Sequence, residues 1–206
     1  MAQAGAVADG RSTAHGKRAK LISIPDQATF LKHVAEKRQG LRNIVMGLLS
    51  FKAGLRACEI SGLDWIMVCD AKGRVSDSIE IGRHIAKMGS GRRIPCHPAL
   101  RDALRKLHAE QGKPVWGPIC RSERGGHMTA KSVVNWFATQ YADLGYGGCS
   151  SHSGRRTMIT IAARSLAKVG GSLRDVQELA GHRSLATTEG YIQGDRAIQR
   201  KLIELV

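Results

Sequence analysis

Neither disulfide spacing nor zinc-ligand spacing is present in this chain. Its five cysteines (Cys58, Cys69, Cys96, Cys120 and Cys149) are scattered, with no C-x-x-C pair. A disulfide framework and a zinc site are therefore both unexpected, and a reducing, cytoplasmic setting is the expectation. No apolar run reaches membrane-spanning length and the first residues lack a signal-peptide core, so no membrane partner is expected. Carboxylates are scarce: 17 Asp and Glu stand against 32 Lys and Arg in 206 residues, a net charge of +15. D-x-D and H-E-x-x-H patterns are absent, which argues against a two-metal nuclease or a zincin and predicts no metal and no cofactor. Aromatics are few as well, with only three tyrosines.

The basic excess is the first positive feature. It points to a polyanionic partner, with double-stranded DNA the expected one. Residues 1–24 mix Ala, Gly and Ser with Arg11, Lys17, Arg18 and Lys20 and have almost no large apolar side chains; they read as a mobile basic tail. Beyond them, Pro25 opens a helix running to about Arg38, and Leu41, Ile44, Val45, Leu48 and Leu49 follow helical spacing up to a stop at Gly54. A short helix is expected from Arg56 to Ser61. A β region then follows, with Trp65–Asp70, then Ile79, Ile81 and Ile85 at period two, and Arg92–Pro95. Pro98 and Thr129 open two further helices. Another begins after Ser151, carrying Met158, Ala162 and Leu166 on one stripe. Ser172 with Asp175 matches a capping box, and Gly181 ends that helix. An amphipathic helix is expected over residues 195–206. The sum is an α+β domain, mostly helical, with a small three-stranded antiparallel sheet.

Four fragments carry chemistry. In GLRACEISGLDW, Arg56 and Glu59 lie one helical turn apart among apolar neighbours, where an arginine held by a carboxylate is preorganised to offer its other donors to a phosphate. In HSGR, His152 and Arg155 stand at a helix start, which itself attracts anions, and Arg155 shares its stripe with Met158 and Ala162, so it should face inward. In IAKMGSGRRIP, Lys87 sits on a glycine-containing turn, with Lys72, Arg83 and Arg93 as neighbouring alternatives. In GHRSLATTEGY, Tyr191 follows His182. Of the other tyrosines, Tyr141 falls on an apolar stripe and Tyr146 in a glycine-rich loop. A phenol can be a covalent nucleophile, while arginine forks and imidazoles hold the charge that builds on phosphoryl oxygens.

In this order and spacing, the fragments resemble the tyrosine recombinases of the phage integrase family, over residues 25–206. The resemblance implies a DNA breaking-rejoining catalytic domain with Arg56, Lys87, His152, Arg155, His182 and Tyr191 as its catalytic set and Glu59 in support. It implies that Tyr191 attacks a backbone phosphate, leaving a 3′-phosphotyrosine and a 5′-hydroxyl, with no need of ATP or metal. His152 would serve the nucleophile's proton and Lys87 the leaving group. Where the family usually reads His, an acidic residue, Leu and Arg, this chain has Ser153 and Gly154 in the middle. Arg92, Arg93, Arg121, Arg124 and Lys131 are the expected DNA contacts, and the last helix is expected to be exchanged within a homotetramer on DNA. The separate N-terminal DNA-clamping domain of most family members has no counterpart in residues 1–24. A type IB topoisomerase-like enzyme and a DNA-binding regulator with a vestigial site remain the alternatives.

Overall fold

The computed structural model describes residues 19–86, 89–191, 200, 203 and 204. Its first helix, α1 (Ile24–Ala35), starts where Ser23 Oγ accepts the Asp26 N–H and Pro25 takes the first turn. Part of the stretch expected as tail is docked: the Lys20 N–H donates to the Gly148 carbonyl. Ile22 is buried and its N–H donates to Thr157 Oγ1. Residues 1–18 lie outside the described set, as does most of the expected helix over 195–206.

Helix α2 (Gly40–Lys52) is the hub. It packs on α1, on α4 (Pro98–Glu110) and on α6 (Ser153–Val169), while α3 (Ala57–Gly62) packs on α5 (Ala130–Asp143). All three phenylalanines meet here. Phe30 lies 5.2 Å from Phe51 edge-on and 6.0 Å from Phe137 stacked, with Tyr141 at 5.0 Å. Such pairs contribute about 0.5–1.5 kcal/mol each beyond their buried area, so the few aromatics are concentrated where they stabilise most. Gly154 explains the departure from the usual H-x-x-R filling. A Cβ there would lie 2.3 Å from Ser50 Oγ and 2.5 Å from Phe51 Cδ1. The bare backbone lets the start of α6 close onto α2, which is how its flanking residues His152 and Arg155 reach the site.

The sheet differs from expectation. It has two strands, β1 (Ser78–Ile81) and β2 (Arg92–Pro95), antiparallel with Ile79 opposite Ile94 and Ile81 opposite Arg92. The expected first strand, Trp65–Asp70, begins instead as a 3₁₀ turn over Trp65–Met67, leaving only an isolated bridge from Cys69 to Val75. Tertiary pairing overrides the local pattern here. The Trp65 and Ile119 N–H groups pair with the Gly117 and Leu63 carbonyls, and the Trp65 indole is buried and donates to Gln111. Ile85 likewise falls beyond the end of β1.

The chain then forms α7 (Leu173–Ala180), opened by the Ser172 N–H donating to the Asp175 carboxylate at 2.7 Å, and the short α8 (Leu185–Glu189). Ile159 and Ala163 of α6 with Val176 and Ala180 of α7 make a small second core, and Tyr191 packs on its edge. Among the described residues no helix is long and apolar enough to cross a membrane. All five cysteines are unpaired thiols.

Candidate active site

The site assembles around the C-terminal end of α7. A helix leaves its last carbonyls without intrahelical partners, and its dipole makes that end attractive to cations. Here three successive carbonyls each receive an arginine. Leu179 O accepts from Arg92 Nε at 2.9 Å, Ala180 O from Arg155 Nη2 at 2.6 Å, and Gly181 O from Arg56 Nη2 at 3.4 Å. Gly181 holds the left-handed conformation that ends the helix (φ 61°), which glycine adopts without strain.

Glu59 is the carboxylate beneath these cations, with a fully buried side chain. Its Oε2 accepts the Arg56 N–H at 2.8 Å, which caps the start of α3, and its Oε1 accepts Arg56 Nη1 at 2.9 Å. Arg92 grips both oxygens, at 2.7 and 3.0 Å. Burial alone would raise the Glu59 pKa, but the Arg92 hydrogen bond and charge, followed by those of Arg56, outweigh it and hold the group below the usual carboxylate range.

Arg155 is 4% exposed, as the stripe it shares with Met158 predicts. Besides Ala180 O it donates to Gly54 O at 2.6 Å and to His182 Nε2 at 3.0 Å. Gly54 is bare because its φ is 61°, in the left-handed region that glycine adopts without strain. Burial and the nearby Arg56 and Arg92 lower the Arg155 pKa to about 10, with Glu59 and Tyr191 acting the other way.

A guanidinium only donates, so His182 Nε2 is an acceptor and its proton sits on Nδ1, donated to Thr188 Oγ1 at 3.0 Å. Thr188 is fully buried. Gln177 fixes the histidine backbone from both sides: its Nε2 donates to His182 O, and its carbonyl accepts the His182 N–H. Burial, then Arg155, Arg56 and Arg92, push the His182 pKa down to about 4. The folded protein thus keeps His182 neutral while the unfolded chain takes up a proton near pH 6.5. Stability should therefore fall as pH drops from about 6.5 toward 4. His182→Gln, which keeps an acceptor for Arg155 and cannot titrate, should flatten that decline in a series of melting curves. An unchanged slope would place the acid sensitivity elsewhere.

The His182 ring stacks on Tyr191, with centroids 5.4 Å apart and planes 24° apart. Tyr191 stands on the turn after α8, its N–H donated to Thr188 O. A cleft of about 520 Å³ runs along this phenol, with His152, Arg155, Arg156 and Thr187 in its wall. Arg56, Glu59, His152, Arg155, His182 and Tyr191 therefore converge from three separate fragments, whereas Lys87 lies outside the described residues. The arrangement can hold a phosphate-sized anion on arginine forks beside a phenol.

The expected DNA contacts divide. Arg124 and Lys131 are exposed, Arg93 is 67% exposed at its side chain, and Arg121 is half-buried. The Arg92 side chain is only 6% exposed and is taken up by Glu59 and Leu179 O. Strand alternation carried the signal: Arg92 shares its face with the buried Ile94, while Arg93 points the other way. Thr188 was missed too, because a threonine in a TT pair has no local mark of a histidine partner.

An arginine floor under a tyrosine, on a mostly helical domain with a two-stranded sheet, is an arrangement suited to holding a phosphate-sized anion beside a phenol. The chain belongs to the phage integrase family, whose sequence profile matches residues 24–197. It is 29% identical over 164 residues to tyrosine recombinase XerC of Actinobacillus pleuropneumoniae, covering 75% of this chain and 48% of that one. It is 31% identical over 153 residues to XerC of Nitrobacter winogradskyi, covering 71% and 44%. The chain thus spans about half the length of the curated relatives it matches. The fold also superposes on a crystal structure of XerA recombinase with a TM-score of 0.67, at 19% identity over 91% of this chain and 65% of that one. A structure of the Tn1549 transposon integrase in complex with a circular intermediate DNA gives a TM-score of 0.70 at 15% identity, over 93% and 67%.

Proposed function

We propose that this protein is a site-specific tyrosine recombinase catalytic domain that cuts and rejoins duplex DNA by transesterification. The observation that carries the reading is the convergence of Arg56, Arg155 and His182 on one floor, with Tyr191 stacked against it. The Tyr191 Oη attacks a backbone phosphorus, the bond to the 5′-oxygen breaks, and a 3′-phosphotyrosine and a 5′-hydroxyl result. Arg56 and Arg155 hold the charge on the non-bridging oxygens. Both ring nitrogens of His182 are engaged in this arrangement, so it serves the phosphate by fixing Arg155. His152, in the wall of the same cleft, is the acceptor for the phenol proton, and Lys87 the donor to the leaving oxygen. Rejoining is the reverse attack by a 5′-hydroxyl, which conserves the phosphodiester energy in the covalent link.

The net charge of +15 supports a duplex partner, and the exposed Arg93, Arg124 and Lys131 supply backbone contacts. The catalytic domain takes in residues 19–206, since Lys20 and Ile22 dock on its body. Four protomers pair two DNA sites, each passing its last segment, residues 195–206, to a neighbour.

Nicked duplexes that trap the cut state test the reading. An SDS-resistant adduct should form in EDTA, and its absence, or a strict need for magnesium, would overturn the mechanism. Relaxation of supercoiled plasmid by the monomer, without assembly on paired sites, would instead indicate the topoisomerase-like alternative. Specific binding with no adduct on any substrate would indicate the vestigial regulator.

A further inference from the structure

Arg92 is the one arginine of the cluster that strand β2 contributes, and its surroundings give it a different task from its neighbours. Both oxygens of Glu59 receive its terminal nitrogens and Leu179 O receives its Nε. Its guanidinium therefore links three elements: β2, the α3 helix that Arg56 caps, and the end of α7 that leads into His182. Gly181 is shaped to the same end, because a Cβ there would lie 2.9 Å from both Arg92 Cδ and Arg92 Nη1.

The charge count shows what this link does. Glu59 is a fully buried carboxylate with two arginine partners. With both present, one cation balances Glu59 and the site keeps a positive charge for an incoming phosphate. With Arg92 gone, Arg56 would be the one arginine of the cluster still hydrogen-bonded to the buried carboxylate. Its fork would be drawn onto Glu59 and away from Gly181 O, at the cost of its donors to phosphate. Leu179 O would also lose its partner, loosening the end of α7 where His182 begins.

We infer that Arg92 is a positioning residue for phosphoryl transfer. It satisfies Glu59 so that Arg56 can face the phosphate, and it ties β2 to the segment that carries His182. This rests on the transesterification reading above, and it places no contact between Arg92 and DNA.

The test compares the parent with Arg92→Met, Arg92→Lys, Glu59→Gln and the double variant Arg92→Met/Glu59→Gln. Three quantities are measured: adduct formation at saturating nicked duplex, duplex affinity by gel shift, and amide hydrogen exchange of residues 177–184 without DNA. Arg92→Met should slow adduct formation by roughly 10- to 100-fold, the size seen when groups that orient ligating side chains are removed. Duplex affinity should stay near the parent's, and exchange at the end of α7 should rise. Arg92→Lys keeps the charge without the fork and should fall between the two. It also carries the test if the methionine variant does not fold. Because Glu59→Gln removes the anion that Arg92 balances, the double variant should lose less than the product of the two single losses.

Affinity falling in step with rate would make Arg92 a DNA contact and overturn the inference. So would single losses that multiply in the double variant, or exchange at residues 177–184 that matches the parent. If the parent itself forms no adduct, the transesterification reading fails, and the exchange measurement still decides whether Arg92 holds the end of α7.

Discussion

Tyr191→Phe should abolish covalent adduct formation and leave duplex binding intact. The substitution removes one oxygen and keeps the ring that stacks on His182 and packs on the small α6–α7 core. The fold should hardly notice, with a stability change within about 0.5 kcal/mol. The loss in cleavage should be at least ~10⁴-fold, as expected when the attacking atom itself is deleted. Tyr141 provides the control. Tyr141 is 1% exposed, and its hydroxyl has no hydrogen-bond partner among the described residues. Tyr141→Phe should therefore keep full activity and lose no stability. An adduct formed by Tyr191→Phe at the parent's rate would remove Tyr191 from the reaction, and a simultaneous loss in Tyr141→Phe would point to the wrong phenol.

How much of this site the sequence disclosed depends on the range over which each residue finds its partner. Arg56 and Glu59 sit one turn apart, and their pairing was readable from helical spacing. The inward direction of Arg155 followed from its stripe with Met158. The helix ends at Gly54 and Gly181 and the capping box at Ser172 were local as well, and the structure has all three. Arg92 finds Glu59 across 33 positions of chain, a distance over which no local spacing marks the pair, which leaves Arg92 as one more cation for DNA. Period-two alternation would have separated it from Arg93, had Ile94 been taken as the marker of the buried face. The three-stranded sheet failed for a related reason. The apolar run from Trp65 looks like a strand by pattern, but its backbone donors are claimed elsewhere: Trp65 by Gly117 O, Met67 by Asp64 O, and Val68 and Cys69 by Trp65 O. Gly154 was visible as a departure from the family's pattern, and its cause, contact with Ser50 and Phe51, exists only once α2 and α6 are packed.

The convergence of three arginines on the end of one helix makes a chemical demand that a simple cation cannot meet, and Arg155→Lys exposes it. Arg155 joins three acceptors on two segments: Gly54 O after α2, and Ala180 O and His182 Nε2 at the end of α7. A planar fork reaches all three at once, whereas an ammonium at the end of a flexible stem cannot. The acceptors left unpartnered are buried, which should cost about 1–3 kcal/mol of stability. The surroundings that lower the arginine to about 10 would act on a lysine whose ordinary value is already about 10.4, so the replacement would be partly neutral where the parent is charged. Cleavage should fall by about 10³-fold, the size seen when a preorganised donor to a developing oxyanion is lost. The loss should be smaller at low pH and larger at high pH, because protonation of the new lysine restores the charge. Arg155→Met, with no charge at any pH, should show no such trend relative to the parent. An Arg155→Lys enzyme within tenfold of the parent from pH 6 to 9 would mean that the three-way bridge is not needed, and that Arg155 contributes only its charge.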